Sequence, residues 1–233
     1  MTQATPIRLM CALAVRGAFD AVIVPDFQAT GGAVSIAWHP TSVIMKQIAA
    51  GQTADALLVI SDSMDDLVKR GIVDAASRMD VVQSGLGVAV ASGAPHPDIG
   101  SLEAFQQTLL QARSVAYSDS GASGLYFKGL IQRLGIADAI NAKATIIPSG
   151  FTAEKLVTGE ADIAIQQVSE LIVVDGIEIV GRFPAAVQNI VTVSAAVFTN
   201  APNYEAARRF IDTLRAAPAI AAYRRSGLDP IER

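Results

Sequence analysis

The run Tyr117-Ser118-Asp119-Ser120-Gly121-Ala122-Ser123-Gly124 brings small hydroxyl residues and glycines to the start of a helical pattern, Leu125–Leu134. Small residues there leave several backbone N–H groups open, and with the helix dipole those groups make a site for an anion. Two more loops repeat the pattern: Thr41-Ser42 ahead of Val43–Ala50, and Ser149-Gly150 ahead of Thr152–Thr158. A hydroxyl so placed caps its helix, contacts a ligand, or does both. Thr41, Ser42, Ser120, Ser123 and Ser149 are therefore candidate ligand contacts. Arg16 opens another helix, where the dipole disfavours a cation, and that placement marks it as a further candidate. Gln166 and Gln167 end a strand, and one of them is expected to hydrogen-bond the ligand. His39, between Trp38 and Pro40 at a strand end, is the candidate general base. Asp119 and Glu170 stand behind it, and Asp119 is alternatively expected to position its loop by an Asx-type bond.

The composition narrows what these residues can serve. The chain has 233 residues, 51% hydrophobic and 17% charged, enough for one large domain or two small lobes around a buried core. A net charge of −4 and the absence of a basic stripe argue against nucleic acid. No apolar run approaches the roughly 18 residues that span a bilayer, so no membrane insertion is expected. A single cysteine, Cys11, excludes an internal disulfide and a cysteine-based metal cluster. With two histidines, His39 and His96, a zinc site would need carboxylate help, so no metal is expected. No zinc motif, nucleotide-binding glycine fingerprint or Ser-His-Asp order is present, and no cofactor is expected. Ile7–Ala14 has the look of a short signal core but lacks a basic segment before it, and reads better as the first buried strand. With Met1 as the natural start the protein is cytoplasmic; with a leader removed it is periplasmic.

Apolar runs alternate with helical patterns from end to end, which predicts an α/β fold. Strands are expected at 7–15, 33–38, 54–61, 86–92, 115–117, 144–148, 162–166 and 190–199. Helices are expected at 16–29 (with Pro25 as a kink), 43–50, 64–70, 102–111, 125–134, 152–158, 203–216 and 219–226.

Four stretches in this order resemble the periplasmic molybdate-binding protein family: Ile48–Asp55, Ser123–Lys128, Leu156–Ala164, and Phe210–Arg215 continuing to Ala222–Leu228. The resemblance covers nearly the whole chain. It implies a two-lobed type II periplasmic-binding-protein-like fold, each lobe a mixed sheet flanked by helices, with a ligand cleft between them. Residues 1–84 and 192–233 would form one lobe and 85–191 the other, with Leu86–Ser92 and Ile190–Thr199 as the hinge. Where the family places an oxyanion-binding hydroxyl after the first strand, this chain has Leu13-Ala14-Val15-Arg16. Where the family has a tyrosine ligand, it has Gln166-Gln167. These departures, with Arg16 able to grip a planar carboxylate by two parallel hydrogen bonds, point to a small organic (poly)carboxylate over molybdate.

Two functions are compatible with such a site. The first is a binding protein whose open cleft closes on a small anion held by N–H groups of Thr41, Ser123 and Ser149. A transporter permease would be its partner only in the periplasm. The second follows from the resemblance to aconitate isomerase-like proteins of the same fold. It is a cofactor-independent isomerase that moves a double bond by proton transfer beside a carboxylate, with His39 as base and Asp119 or Glu170 as lesser candidates.

Overall fold

A computed structural model describes residues 5–231. Its strands are β1 (Ile7–Cys11), β2 (Val34–Trp38), β3 (Ala56–Ile60), β4 (Met79–Ala91), β5 (Val115–Ser118), β6 (Ala144–Ile147), β7 (Ile163–Gln167), β8 (Ile177–Arg182), β9 (Ile190–Val197) and β10 (Asp229–Pro230). The chain divides into two compact units, one running to Ser84 and resuming at Val191, the other Gly85–Ile190. Both crossings from one unit to the other fall within strands, β4 and β9.

In the first unit β1 lies between β2 and β3, parallel to both, with Leu9 opposite Ile36 and Ala56. β3 then pairs antiparallel with β9, Leu58 opposite Ala195. Alternate residues feed two cores. Ile7, Leu9 and Cys11 of β1 and Ala56 and Leu58 of β3 face one, with Phe19 and Phe210. Met10, Leu57 and Val59 face the other, with Ile44 and Met64. A sheet covered on both faces gives strands that read as unbroken apolar runs. Burial also pushes the Cys11 thiol far above the ordinary thiol range, so it stays protonated.

The second unit repeats the scheme. β5 pairs parallel with β6 and β7, and β7 pairs antiparallel with β4, Leu86 opposite Gln167. β8 pairs antiparallel with β4, with an irregularity at Val88/Ala89. Val88, Val115, Tyr117 and Ile165 face one core and Ala89, Ala116 and Ala164 the other.

The first strand ends at Cys11, short of the expected Val15, because residues Leu13–Val15 coil into a buried 3-10 turn. Pro25, where a kink was expected, lies in the first turn of the helix Val24–Ala29, and a π turn over Phe19–Ile23 precedes it, in which the Val24 N–H donates to the Phe19 carbonyl. The helix expected at 64–70 begins at Ser61. β8 was not anticipated.

Asp55 ties the first unit together. Its carboxylate, 0% exposed, accepts from the N–H groups of Arg8 (2.7 Å) and Asn203 (3.0 Å), joining β1 to the start of the helix Tyr204–Thr213. Asp55→Ala orphans both donors and is expected to lower unfolding free energy by about 2 kcal/mol in urea titration. An unchanged midpoint would show that water replaces the carboxylate.

Candidate functional site

In the second unit the serine-glycine loop opens a helix, Ala122–Arg133, three residues earlier than the sequence pattern suggests, with Gly121 as N-cap. The loop is pinned by Ser118, whose hydroxyl accepts from the Gly121 N–H at 3.3 Å. Among the described residues Asp119 makes no Asx bond; its backbone N–H donates to the Ile147 carbonyl and its side chain is exposed. The expected Asx role is therefore corrected: a serine one residue earlier does that work. Gly124 is required here, since a Cβ would fall 1.7 Å from the Ser118 carbonyl oxygen. Ser123 is buried in the first turn, where helical N–H groups have no intrahelical acceptor. Ser120 is engaged with the Pro148 carbonyl.

Ser149 is exposed beside Gly150. The helix expected at 152–158 is one turn, Glu154–Val157, so Ser149 does not open it. Thr152 is held elsewhere: its N–H donates to the Gln166 side-chain oxygen at 2.8 Å, and its hydroxyl lies 3.0 Å from the same oxygen. Gln166 Nε2 donates to the Gly150 carbonyl at 2.9 Å. This glutamine is thus committed to the fold. Gln167, the next residue, is buried, yet among the described residues its side-chain oxygen has no hydrogen-bond partner.

Glu170 follows on the short helix Val168–Leu171. Its carboxyl is buried, and burial pushes it up to about 7, against hydrogen bonds from the Gln166 side chain and the Gln167 N–H that favour the ionised form. A carboxyl titrating near neutrality, beside a glutamine with an unused polar atom, is suited to taking and returning a proton.

In the first unit Thr41 begins the helix Thr41–Ala49, and Pro40, not a hydroxyl residue, is the N-cap. The expected capping role is corrected accordingly: the Thr41 hydroxyl accepts from the Ile60 N–H at 3.4 Å. Ser42 follows it, half-buried. Arg16 donates to Asp20 at 3.2 Å and lies 5.9 Å from the Trp38 ring centre. His39 is fixed by its backbone, whose N–H donates to Cys11. Its imidazole has no hydrogen-bond partner among the described residues.

One cluster in this unit was missed from sequence. Ser61 and Ser194 hydroxyls lie 2.6 Å apart, and both meet the Asp80 carboxylate, at 3.1 and 2.6 Å. Asp80 is held below the usual carboxylate range, burial being outweighed by these hydroxyls and Arg78. Among the described residues no group of three or more His, Cys, Asp or Glu is arranged to hold a metal ion. No helix there is long and apolar enough to cross a membrane.

An α/β scaffold in two compact units, with open N–H groups at a helix start, has the features of a class of solute-binding folds. The chain belongs to the bacterial extracellular solute-binding proteins, whose family model matches residues 7–229. It is 36% identical over 240 residues to an aconitate isomerase from Pseudomonas sp, covering 99% of this chain and 91% of that relative. In fold it is similar to the periplasmic molybdate-binding protein of Azotobacter vinelandii, with a TM-score of 0.78, 18% identity and coverage of 97% and 99% of the two chains. The sulfate-binding protein of Mycobacterium tuberculosis is also similar, with a TM-score of 0.76, 18% identity and coverage of 98% and 88%. The resemblance carried by the four sequence stretches therefore holds.

Proposed function

We propose that the protein is a cofactor-independent isomerase of a small unsaturated polycarboxylate of the aconitate type, with Glu170 as its proton-transfer group. The carrying observation is the buried Glu170 carboxyl titrating at about 7 in a chain 36% identical to an aconitate isomerase. Ionised Glu170 takes a proton from the methylene beside a substrate carboxylate. The electron pair left behind delocalises over the double bond and the carboxylate, and the protonated Glu170, whose carboxyl proton exchanges with solvent, returns a proton at the other allylic carbon. One C–H bond breaks, one forms and the double bond moves one carbon, so no oxidant or cofactor is consumed. The open N–H groups at the start of the helix Ala122–Arg133 supply stabilisation where the enolate-like charge develops. Gln167, whose amide offers an acceptor and two donors, orients a substrate carboxyl. Glu170 is preferred over His39 as base because burial raises its carboxyl to about 7, whereas nothing among the described residues holds the His39 imidazole.

A second reading, capture of a small organic carboxylate without turnover, draws on the fold shared with molybdate- and sulfate-binding proteins. In that reading a transporter permease is the partner. The family's description as extracellular supports a location outside the cytoplasm for either reading. Proton NMR of cis- and trans-aconitate with the protein in deuterated buffer separates the two. Interconversion with deuterium uptake at the allylic carbons is the expected result. Line broadening with no change in the ligand would establish capture, and neither effect would remove this class of ligand.

A further inference from the structure

The second unit also contains a cavity of about 480 Å³ at the edge of its sheet where β4 ends and β7 begins. Val90 and Ala91 of β4, Ile163 of β7, and Pro95, Leu156 and Ala161 give it mainly apolar walls. The charges on the lining are spent on each other. Arg113 and Asp162 are its charged residues among those described, and they pair at 2.7 Å, with Arg113 donating also to the Gly159 carbonyl at 3.1 Å. The Thr108 hydroxyl is used too, donating to the Asp98 carbonyl at 2.7 Å. Gln111 adds an exposed amide.

One wall is a loop, and it is held in place. Glu178 of β8 accepts from the Ser92 hydroxyl at 3.0 Å and the Gly93 N–H at 2.8 Å, and its other oxygen lies 2.9 Å from His96 Nε2. Pro95 and Pro97, both on the lining, each fix a backbone φ in that loop. The cavity is therefore shaped before anything enters it, and its volume lies in the range of small-molecule sites. An ion would meet no unpaired opposite charge there and would give up hydration against apolar walls. A neutral apolar molecule escapes that cost and takes the walls out of water. We propose that this cavity is a second binding site, for a neutral small molecule with an apolar ring body. Gln111 is placed to meet a hydroxyl or carbonyl on it. The site lies at the start of β7, about 13 Å along that strand from Gln167 at 3.3 Å per residue, and does not depend on the isomerase reading.

The test is calorimetric titration of the full chain at neutral pH with naphthol, with naphthoate as its charged counterpart. Saturable binding of naphthol below about 1 mM is expected, with naphthoate weaker by roughly tenfold or more. Ala94→Phe puts a ring into the cavity from the loop and should weaken naphthol by roughly tenfold or more. Glu178→Ala leaves the lining unchanged but releases the loop, and should weaken it by about threefold or more. It keeps the test available if Ala94→Phe proves unstable in a thermal melt. Cis-aconitate should not displace naphthol. Absence of saturation, equal affinity for naphthoate, unchanged affinity in either folded variant, or displacement by cis-aconitate would each overturn the assignment.

Discussion

Glu170→Gln is expected to lower kcat for aconitate interconversion by about 10²- to 10⁴-fold, the range for loss of a general base, with little change in KM. Glutamine keeps the size of the side chain and an oxygen to accept from Gln166 and Gln167, but it cannot take a proton. The pH dependence is the sharper readout. Only the ionised carboxylate acts as base, so kcat/KM in the unaltered protein should rise with pH through about 7. The residual activity of the variant should lack that limb. His39→Ala is the companion measurement. If it removes turnover while Glu170→Gln retains it, the base is the histidine at the end of β2 and the present assignment is wrong.

What could be foreseen of this arrangement depended on how locally it is encoded. β3 and β7 are covered on both faces, so Ala56–Ile60 and Ile163–Gln167 show themselves as apolar runs. β8 escaped notice because it is only half-buried and carries Glu178 and Arg182. The first half of β4 carries Asp80 and Gln83 and looks polar for the same reason. The serine-glycine loop was legible because its small residues are contiguous in sequence, Gly124 among them having no room for a side chain. The Ser61–Ser194–Asp80 cluster was not, since its two serines are 133 residues apart and only the β3–β9 pairing brings them together. Glu170 could be named as a carboxyl in the chain but not ranked. Its burial comes from the fold, in which Val168 on the same short helix packs so closely on Gly87 that a Cβ there would lie 2.6 Å from a Val168 methyl.

The same substitution should have an opposite effect on stability. Glu170 is shifted upward, from 4.5 to about 7, chiefly by burial. Below about pH 4.5 the carboxyl is protonated in both folded and unfolded chains and contributes no pH dependence. Between those values the unfolded chain releases the proton that the folded chain retains, so stability falls as pH rises. Above about 7 both states are ionised and the full cost remains, on the order of 3 kcal/mol at 1.36 kcal/mol for each pH unit. Glu170→Gln removes this titration. Between pH 4 and pH 8, urea unfolding should therefore show the variant gaining about 3 kcal/mol relative to the unaltered protein. Identical pH dependence in the two proteins would mean that Glu170 titrates as an ordinary solvated carboxyl, and its fitness as a base at neutral pH would go with it. A side chain that destabilises the fold at the pH where it is ionised, and whose neutral isostere slows turnover a hundredfold or more, would have its place through chemistry and not through packing.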